Sequence, residues 1–480
     1  MQEAFWQKHP ALFLGLAAAF AACLSLKPSY LLAIPLVLLV QSASLQRLLF
    51  TLPLFLASFC YTHIQCQTPV VANAGVAYFI PESLTYGQSG FQRGWKVKGK
   101  LREFQDLEGK ILVKGAPCTL MVKAIPDTAS HLLIPGTLFG GSRASYFLKP
   151  KSEATWKKVA GTQTFAASRL LLKNKVKAFI FSHIPHTQSA SFLTGLATGE
   201  FEDKLVQKEL GRFGLQHIMA ISGFHFSLIA LMLAFFLKPF IRKKFLGPVL
   251  GLLLSCYFLF LGVTPSILRA FVMVLLALAA ASGKLRSTGL NTLGVALLAT
   301  IAIDPTLLCQ IGFQFSALTT ASILLCNRPA ANFLTPLFGQ KRHAEIKEFG
   351  LWDRHMYLIL SWFESGLALC LSVNACALPM GLYYFGAFPL LGLLYNLFFP
   401  FLVGIAMFLF LAGSLFIWTV PPLGKALMGL DSCLLQHTLN LALHIPPEKD
   451  ILLTADWMQG GCVVVYLSIL FRFMIAKQKQ

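Results

Sequence analysis

Long apolar runs broken by short charged turns occupy most of this chain, and a single polar stretch interrupts them. Residues 11–26, 30–40 and 48–65 form the first group, the middle run short and containing Pro35. After residue 213 the runs return at 215–237, 245–263, 265–282, 289–303, 307–326, 357–380, 389–419 and 458–475. A helix needs roughly 20 apolar residues to cross a bilayer, so this spacing predicts a mostly α-helical polytopic membrane protein with roughly 10–12 transmembrane segments. Two places stay ambiguous. The 389–419 run is long enough to hold a broken or re-entrant piece around Tyr395, Asn396 and Pro400. Residues 423–444 carry Asp431, His437, Asn440 and His444, so an interfacial helix competes there with a span and the side of the carboxyl end is open. At the amino end, Lys8 and the run to Cys23 imitate a lipoprotein signal. The run continues to Leu26 and another follows from Tyr30, which favours a retained helix.

The interrupting stretch has a different period. Trp95-Lys-Val-Lys-Gly-Lys-Leu101, Lys110-Ile-Leu-Val-Lys114, Thr119-Leu-Met-Val-Lys123 and Gly136-Thr-Leu-Phe-Gly140 alternate between faces and are bounded by glycine and proline. That pattern predicts short antiparallel strands, and a small β-barrel of the oligonucleotide-binding type is the economical way to fold them. Residues 152–182 read instead as a basic amphipathic helix or helix pair. The chain therefore divides into anchor helices at 1–65, a β domain at 66–150, amphipathic helices at 151–213 and a membrane core at 214–480.

Composition adds sign to this picture. Only 12% of residues are charged, yet the net charge is +20. Over residues 66–182 there are 17 Lys and Arg against 6 Asp and Glu, so about half of the excess sits in the polar stretch. A solvated face, a headgroup cushion and a polyanion-collecting surface all fit that charge. For the last, single strands need a basic track with aromatics: Phe91, Trp95 and Phe104 are the stacking candidates, which could equally fill the barrel, beside Lys96, Lys98, Lys100, Arg102, Lys173, Lys175 and Lys177. Positive charge at Lys238–Lys244, Lys284–Arg286 and the 327–356 loop falls on one side if the spans alternate. The positive-inside rule makes that side the cytoplasm and puts residues 66–213 outside. Most of the 11 cysteines lie in apolar runs. Cys60, Cys66 and Cys118 lie where an oxidising compartment would allow one bridge, with Cys66–Cys118 the pairing considered.

Ionisable or strongly polar groups within the spans are costly in hydrocarbon, so each faces a partner or a wet path. His217, Ser222, Gly223 and His225 cluster where the polar stretch meets the next span, and Arg269, Gln314, Glu364 and Asn396 lie farther along. Ser222 and His225, three apart, resemble a nucleophile with its base. His217 and His225 are eight apart, about 12 Å along a straight helix, too far for one metal. No Gly-x-Ser-x-Gly elbow, His-Glu-x-x-His or phosphate-binding loop occurs. No enzyme chemistry, metal or cofactor is expected.

Four signatures stand out along the core. The first is Leu193-Thr-Gly-Leu-Ala-Thr-Gly199 running into Gly214-Leu-Gln-His217-Ile-Met-Ala-Ile-Ser222-Gly-Phe-His225. The second is Thr264-Pro265-Ser-Ile-Leu-Arg269-Ala270. Asp304-Pro305 followed by Ile311-Gly-Phe313-Gln314-Phe-Ser316 is the third. The fourth joins Leu378-Pro379, Tyr384-Phe385-Gly386 and Tyr395-Asn396-Leu-Phe-Phe-Pro400. In order and spacing they resemble the ComEC-type competence family of bacterial inner-membrane DNA-uptake channels. Phe224 and Phe226 depart from the smaller residues common in the family. The metallo-β-lactamase-like domain of many members, with its His-x-His-x-Asp-His cluster, has no counterpart in the sequence, so the resemblance implies a nuclease that is separate or absent.

The resemblance implies passage of single-stranded DNA into the cytoplasm along His217, Ser222, Gly223, His225, Arg269, Gln314, Glu364 and Asn396. It also implies an external DNA receptor and a cytoplasmic helicase or strand-binding protein as partners, in the lipid bilayer of the inner membrane. A small-molecule or lipid-linked substrate transporter is the alternative, and an intramembrane hydrolase a more distant one.

Overall fold

A computed structural model describes residues 2–26, 33–66, 72–89, 92–122, 131–140, 146–151, 156–159, 165–201, 203–219, 223–283, 288–338, 350–443, 451–455 and 459–477. It consists of an apolar helical bundle and one small closed barrel.

The barrel follows from the alternation. Strands β1 (Ala72–Ser89), β2 (Gln92–Asp106), β3 (Ile111–Val122), β4 (His131–Gly140) and β5 (Tyr146–Pro150) close in the order 1-2-3-5-4-1. All neighbours are antiparallel except β3 and β5, which run parallel with Cys118 opposite Tyr146. Along β2, Val97 and Leu101 enter a core with Phe79, Phe104, Leu120 and Ile134, while Lys98, Lys100 and Arg102 face out. A sixth strand, β6 (Lys157–Val159), pairs with β4, so the sheet reaches past residue 150 into the segment expected to be helical. Cys118 is a free thiol buried in this core, so the Cys66–Cys118 bridge that the sequence left possible is not made. The inward-pointing register of β3 is the reason.

In the anchor, α1 (Gln2–Lys8), α2 (Pro10–Leu26), α3 (Ala33–Gln41) and α4 (Leu45–Cys66) precede the barrel. Next come α5 (Phe165–His183), α6 (Thr187–Thr198), α7 (Lys204–Arg212) and the single turn α8 (Gln216–Met219). The core then adds α9 (Gly223–Leu237), α10 (Lys243–Leu261), α11 (Pro265–Ala281) and α12 (Gly289–Ile303). After a 3-10 turn at Pro305–Cys309 follow α13 (Ile311–Phe338), α14 (Leu351–Phe385), α15 (Leu391–Thr419), α16 (Pro421–Leu443) and α17 (Gly460–Lys477). Among the described residues four helices are long and apolar enough to span a membrane, and five more are apolar but shorter.

Side-chain contacts fix the directions. His9 Nδ1 lies 2.9 Å from Thr288 Oγ1, and Asn291 bonds the Lys8 carbonyl, so α2 and α12 start on one face of the bundle. Gly15 and Gly294 let these two backbones touch, since a Cβ on either would sit within 2.5 Å of the other helix's backbone. Such small-residue contacts are how apolar helices approach closely in lipid. Tyr61 donates to the Ala302 carbonyl at the opposite face, where the barrel lies.

Both ambiguous places resolve. The 389–419 run is one continuous helix through Pro400, with no broken piece at Asn396. Residues 421–443 cross the bundle: β7 (Ala387–Pro389), just before α15, pairs with β8 (Leu452–Thr454), beyond α16. Start of α15 and end of α16 thus share the barrel's face, and Phe471, Met474 and Ile475 of α17 end against Phe5, Trp6 and Leu39 on the other. Strand pairing across that gap settled what hydropathy left open.

Candidate functional site: a polar seam under the barrel

The four sequence signatures, dispersed over more than two hundred positions, meet on the barrel's face of the bundle. Gly214 takes φ +69°, and a Cβ there would meet Pro389 Cγ at 3.0 Å, while Gly392 of α15 abuts the Phe213 carbonyl. Phe213 and Tyr395 stack tilted at 4.8 Å between ring centres. The first signature is thereby seated on the fourth. The third and fourth join where Tyr384 donates to Gln314 Oε1, with Gln314 Nε2 reaching the Leu308 carbonyl at 3.2 Å.

Arg269 links the second signature to the third and the first. Thr264 caps α11 by accepting from the Ile267 N–H, and Pro265 fits the first helical position, where no N–H is needed. That cap sets Arg269 about 6 Å into the helix. Its side chain is only 6% exposed. Nε donates to Ser316 Oγ at 2.9 Å and Nη1 to Thr320 Oγ1 at 2.7 Å, with Met273 Sδ at 3.3 Å. Nη2 lies 3.7 Å from where a Cβ on Gly223 would stand. Of the expected 215–237 helix, Gln216–Met219 and Gly223–Leu237 are helical, residues 220–222 lie outside the described residues, and Gly223 stands beside the guanidinium.

His225 is buried with its ring edge-on to Phe224, whereas His217 is exposed on α8 and faces the Gly214 carbonyl at 3.3 Å. Asn396 holds its Oδ1 buried without a partner, and Glu364 is half-buried on α14 with no hydrogen bond among the described residues. Ser222 lies outside the described residues, as do the side chains of Trp95 and Lys96. Among the described residues no cluster of His, Cys, Asp and Glu is arranged to hold a metal.

The barrel is fastened above this seam by α5. Arg169 Nη2 donates to the Glu82 carbonyl of β1 at 2.5 Å, and its Nη1 stands beside Gly262 at the end of α10. One turn on, Lys173 bonds Glu200 at 2.8 Å and the Leu261 carbonyl at 3.2 Å. A cation at a helix's last carbonyls opposes the negative end of its dipole. Burial lowers the Lys173 pKa, and the Glu200 carboxylate only partly offsets it. Lys173 is thus a buried clamp, where the sequence had suggested an outward DNA contact. Lys175 is exposed and Lys177 half-buried near Phe181.

Outward on the barrel, Lys98, Lys100 and Arg102 form a stripe along β2, and Arg102 lies over the Tyr78 ring at 5.3 Å. Tyr78 in turn pairs with His131 at 2.8 Å. Burial, then the Arg102 guanidinium, hold the His131 pKa below its ordinary value. Tyr78, His131, Arg169 and Thr320 escaped the sequence reading of this site, and Ser316 entered it only as the end of the third signature. Only Thr320 left a signal, four residues beyond Ser316 and so on the same helix face.

These arrangements define an apolar helical membrane protein with a polar seam capped by a small barrel. A family model described as competence protein matches residues 197–480. The chain belongs to the competence protein family, whose members act in DNA uptake during transformation. No curated protein and no solved structure matches it.

Proposed function

We propose that this chain is a channel, without enzymatic activity of its own, that conducts single-stranded DNA across the bacterial inner membrane with the barrel outside. The observation that carries this reading is the α5 clamp. Through Arg169 and Lys173 it holds a barrel with an exposed basic stripe directly over the helix ends from which Arg269 descends. A strand gathered on the stripe is delivered to the seam rather than to lipid. The strand order 1-2-3-5-4-1 is like that of oligonucleotide-binding barrels, in which the β2–β3 face takes nucleic acid, and this likeness supports the reading. Charge at Lys238–Lys244 on the opposite face supports a cytoplasmic location for that face. Pulling is assigned to a cytoplasmic helicase or strand-binding protein, capture to an external receptor, and any strand degradation to a separate nuclease.

The test follows labelled duplex DNA in a strain lacking the gene. Surface binding persists and cytoplasmic arrival of label is lost, to be restored by the intact chain. Normal arrival in the deletion strain overturns the reading. Counterflow of a small substrate in proteoliposomes, indifferent to DNA, would replace it with a transporter.

A further inference from the structure

Helices α5 and α6 form a pair that enters the bundle instead of lying on it. They run antiparallel: Lys173 of α5 meets Glu200, just past the end of α6, and one turn further on Lys177 and Thr194 line the same narrow cleft. The open end of the pair is fixed at the barrel's face. Lys173 bonds the Leu261 carbonyl at the end of α10, and Tyr257, one turn into that helix, donates to the Ala197 carbonyl at 3.4 Å. The closed end lies far from that face. Ser189 donates to the Ser432 carbonyl at 3.1 Å, and the His186 N–H donates to Ser432 Oγ at 3.4 Å. Ser432 is the middle residue of α16, whose 23 residues cross the bundle.

Helix geometry gives the depth. From Leu261 back to Tyr257 is about 6 Å of rise and from Ala197 back to Ser189 about 12 Å, so the turn between α5 and α6 lies about 18 Å below the barrel's face. Counted down α16 from Leu443, Ser432 stands at about 16 Å. Half of a bilayer's hydrocarbon core is about 15 Å. Two independent measures thus put the turn near mid-bilayer. Ile180, Ile184 and Leu193 share one apolar core there with Phe399, Val403 and Leu435 of α15 and α16.

The exposed side of the turn is polar. Ser182, Pro185, His186, Thr187 and Gln188 are all exposed, and no side-chain hydrogen bond caps the start of α6. Irregular backbone and polar side chains at that depth need protein or water around them, not hydrocarbon. From Phe165 to Thr198 the pair holds no acidic residue, while Lys175 and Lys177 lead from the barrel's face down toward His183 and His186. Such a wall suits a polyanion in water.

We propose that α5 and α6 are a re-entrant hairpin whose turn, residues 185–188, lines a water-filled passage and contacts the single strand at mid-bilayer. This rests on the channel reading above. The hairpin enters from the side on which the sequence places residues 66–213. It carries the strand's route on one continuous element, from the barrel clamp at Arg169 and Lys173 to the centre of the bundle.

The test uses the full chain in phosphatidylcholine nanodiscs, where both faces meet water. A cationic, membrane-impermeant methanethiosulfonate is the probe, and peptide mass reads which cysteine has reacted. Gln188→Cys reacts faster than Leu252→Cys by roughly a hundredfold, the scale of keeping a charged reagent out of hydrocarbon. Leu252 is the tenth of the 19 residues of α10 and 65% exposed, so it reports lipid at mid-depth. Single-stranded oligothymidylate at low ionic strength slows the Gln188→Cys reaction several-fold, and a cationic probe ensures that the strand's charge does not repel it. Thr187→Cys, also exposed, serves if Gln188→Cys fails to fold. A rate no higher than that of Leu252→Cys puts lipid or a second copy of the chain on the turn and overturns the passage. A fast reaction that the oligonucleotide leaves unchanged puts the turn off the strand's path, and this proposal falls while the channel reading stands. Failure of that reading is seen separately, as normal import in the deletion strain.

Discussion

The barrel and the bundle solve burial in opposite ways. In the barrel, apolar side chains such as Phe79, Leu101 and Ile134 are wholly interior while Lys98, Lys100 and Arg102 face out. In the bundle the distribution turns over: Phe50, Phe240, Trp352 and Trp418 are more than four-fifths exposed, whereas Arg269, Ser322, Ser372 and Asp431 are buried. Water drives the first arrangement through the area removed from solvent. In lipid that force is absent between helices, so close backbone contact and internal hydrogen bonds have to hold the bundle. The Ser322 hydroxyl bonding the Ser372 carbonyl at 2.6 Å is one such bond. The same residue class therefore means different things in the two parts. A lysine on β2 is a solvated surface, but an arginine on α11 is a commitment to a partner.

The sharpest way to break the comparison is at Gly294. A side chain there would sit 2.2 Å from the Ala11 carbonyl oxygen of α2, against backbone that cannot swing aside. Gly294→Leu should separate α2 from α12 and cost about 3 kcal/mol or more, the upper range for overpacking. Loss of the monodisperse protein in detergent, or a large drop in unfolding temperature, reports it. A fully folded Gly294→Leu protein would mean that packing does not hold the anchor to the core.

Next in size is the clamp joining the two parts. Lys173→Ala removes a charge-assisted bond to Glu200 and the cap on the Leu261 carbonyl. Water reaches Glu200, which keeps 30% of its side-chain surface, so the expected cost is about 1.5–3 kcal/mol rather than that of a fully buried pair. The barrel core, remote from the clamp, stays folded. Limited proteolysis should show faster cleavage between barrel and bundle, with both fragments resistant; unchanged cleavage would remove the clamp from the argument.

How much of this the sequence disclosed tracks the same division. Alternation along Val97-Lys-Gly-Lys-Leu101 gave both strand and facing, because period two is a local property. Apolar run length gave the helices, but not that α16 crosses: Asp431, His437 and Asn440 lower its hydropathy, and the deciding β7–β8 pairing joins residues more than sixty apart. Arg269 was conspicuous as a charge in an apolar run. Its partners Ser316 and Thr320 were not, being 47 and 51 residues away in a helix whose rotation no local pattern specifies. Lys173 looked like its neighbours Lys175 and Lys177 in sequence, and only the docking of α5 onto Leu261 distinguishes it.

A third prediction concerns the outward face alone. Replacing Lys98, Lys100 and Arg102 together by alanine should leave folding intact, since all three are exposed. Each charge lost should reduce the dependence of log affinity for a single strand on log salt by about 0.7, so the triple change removes about 2 from the slope. Fluorescence anisotropy with labelled oligothymidylate over a salt series measures it. An unchanged slope would return the stripe to a solvated surface.

The smallest effect lies at the rim of that stripe, where Tyr78 bonds His131 and stacks under Arg102. The His131 pKa is held below its ordinary 6.5, first by burial and then by Arg102. Between the folded and unfolded values the unfolded chain binds the extra proton, so the neutral ring's contribution is complete above about pH 6.5 and lost as pH falls through the folded value. Acidification from pH 7.5 to 5 should lower the barrel's unfolding temperature slightly, and His131→Gln, which cannot titrate, should flatten that slope. Arg102 and Glu103 on β2 and Lys158 on β6 face the same strands, and His131→Gln leaves all three in place. An equal acid slope in His131→Gln would place the sensitivity elsewhere and leave the Tyr78–His131 pair as packing only. A flattened slope would mean that the stripe gains a fourth cation on acidification, at a measurable expense in the fold beneath it.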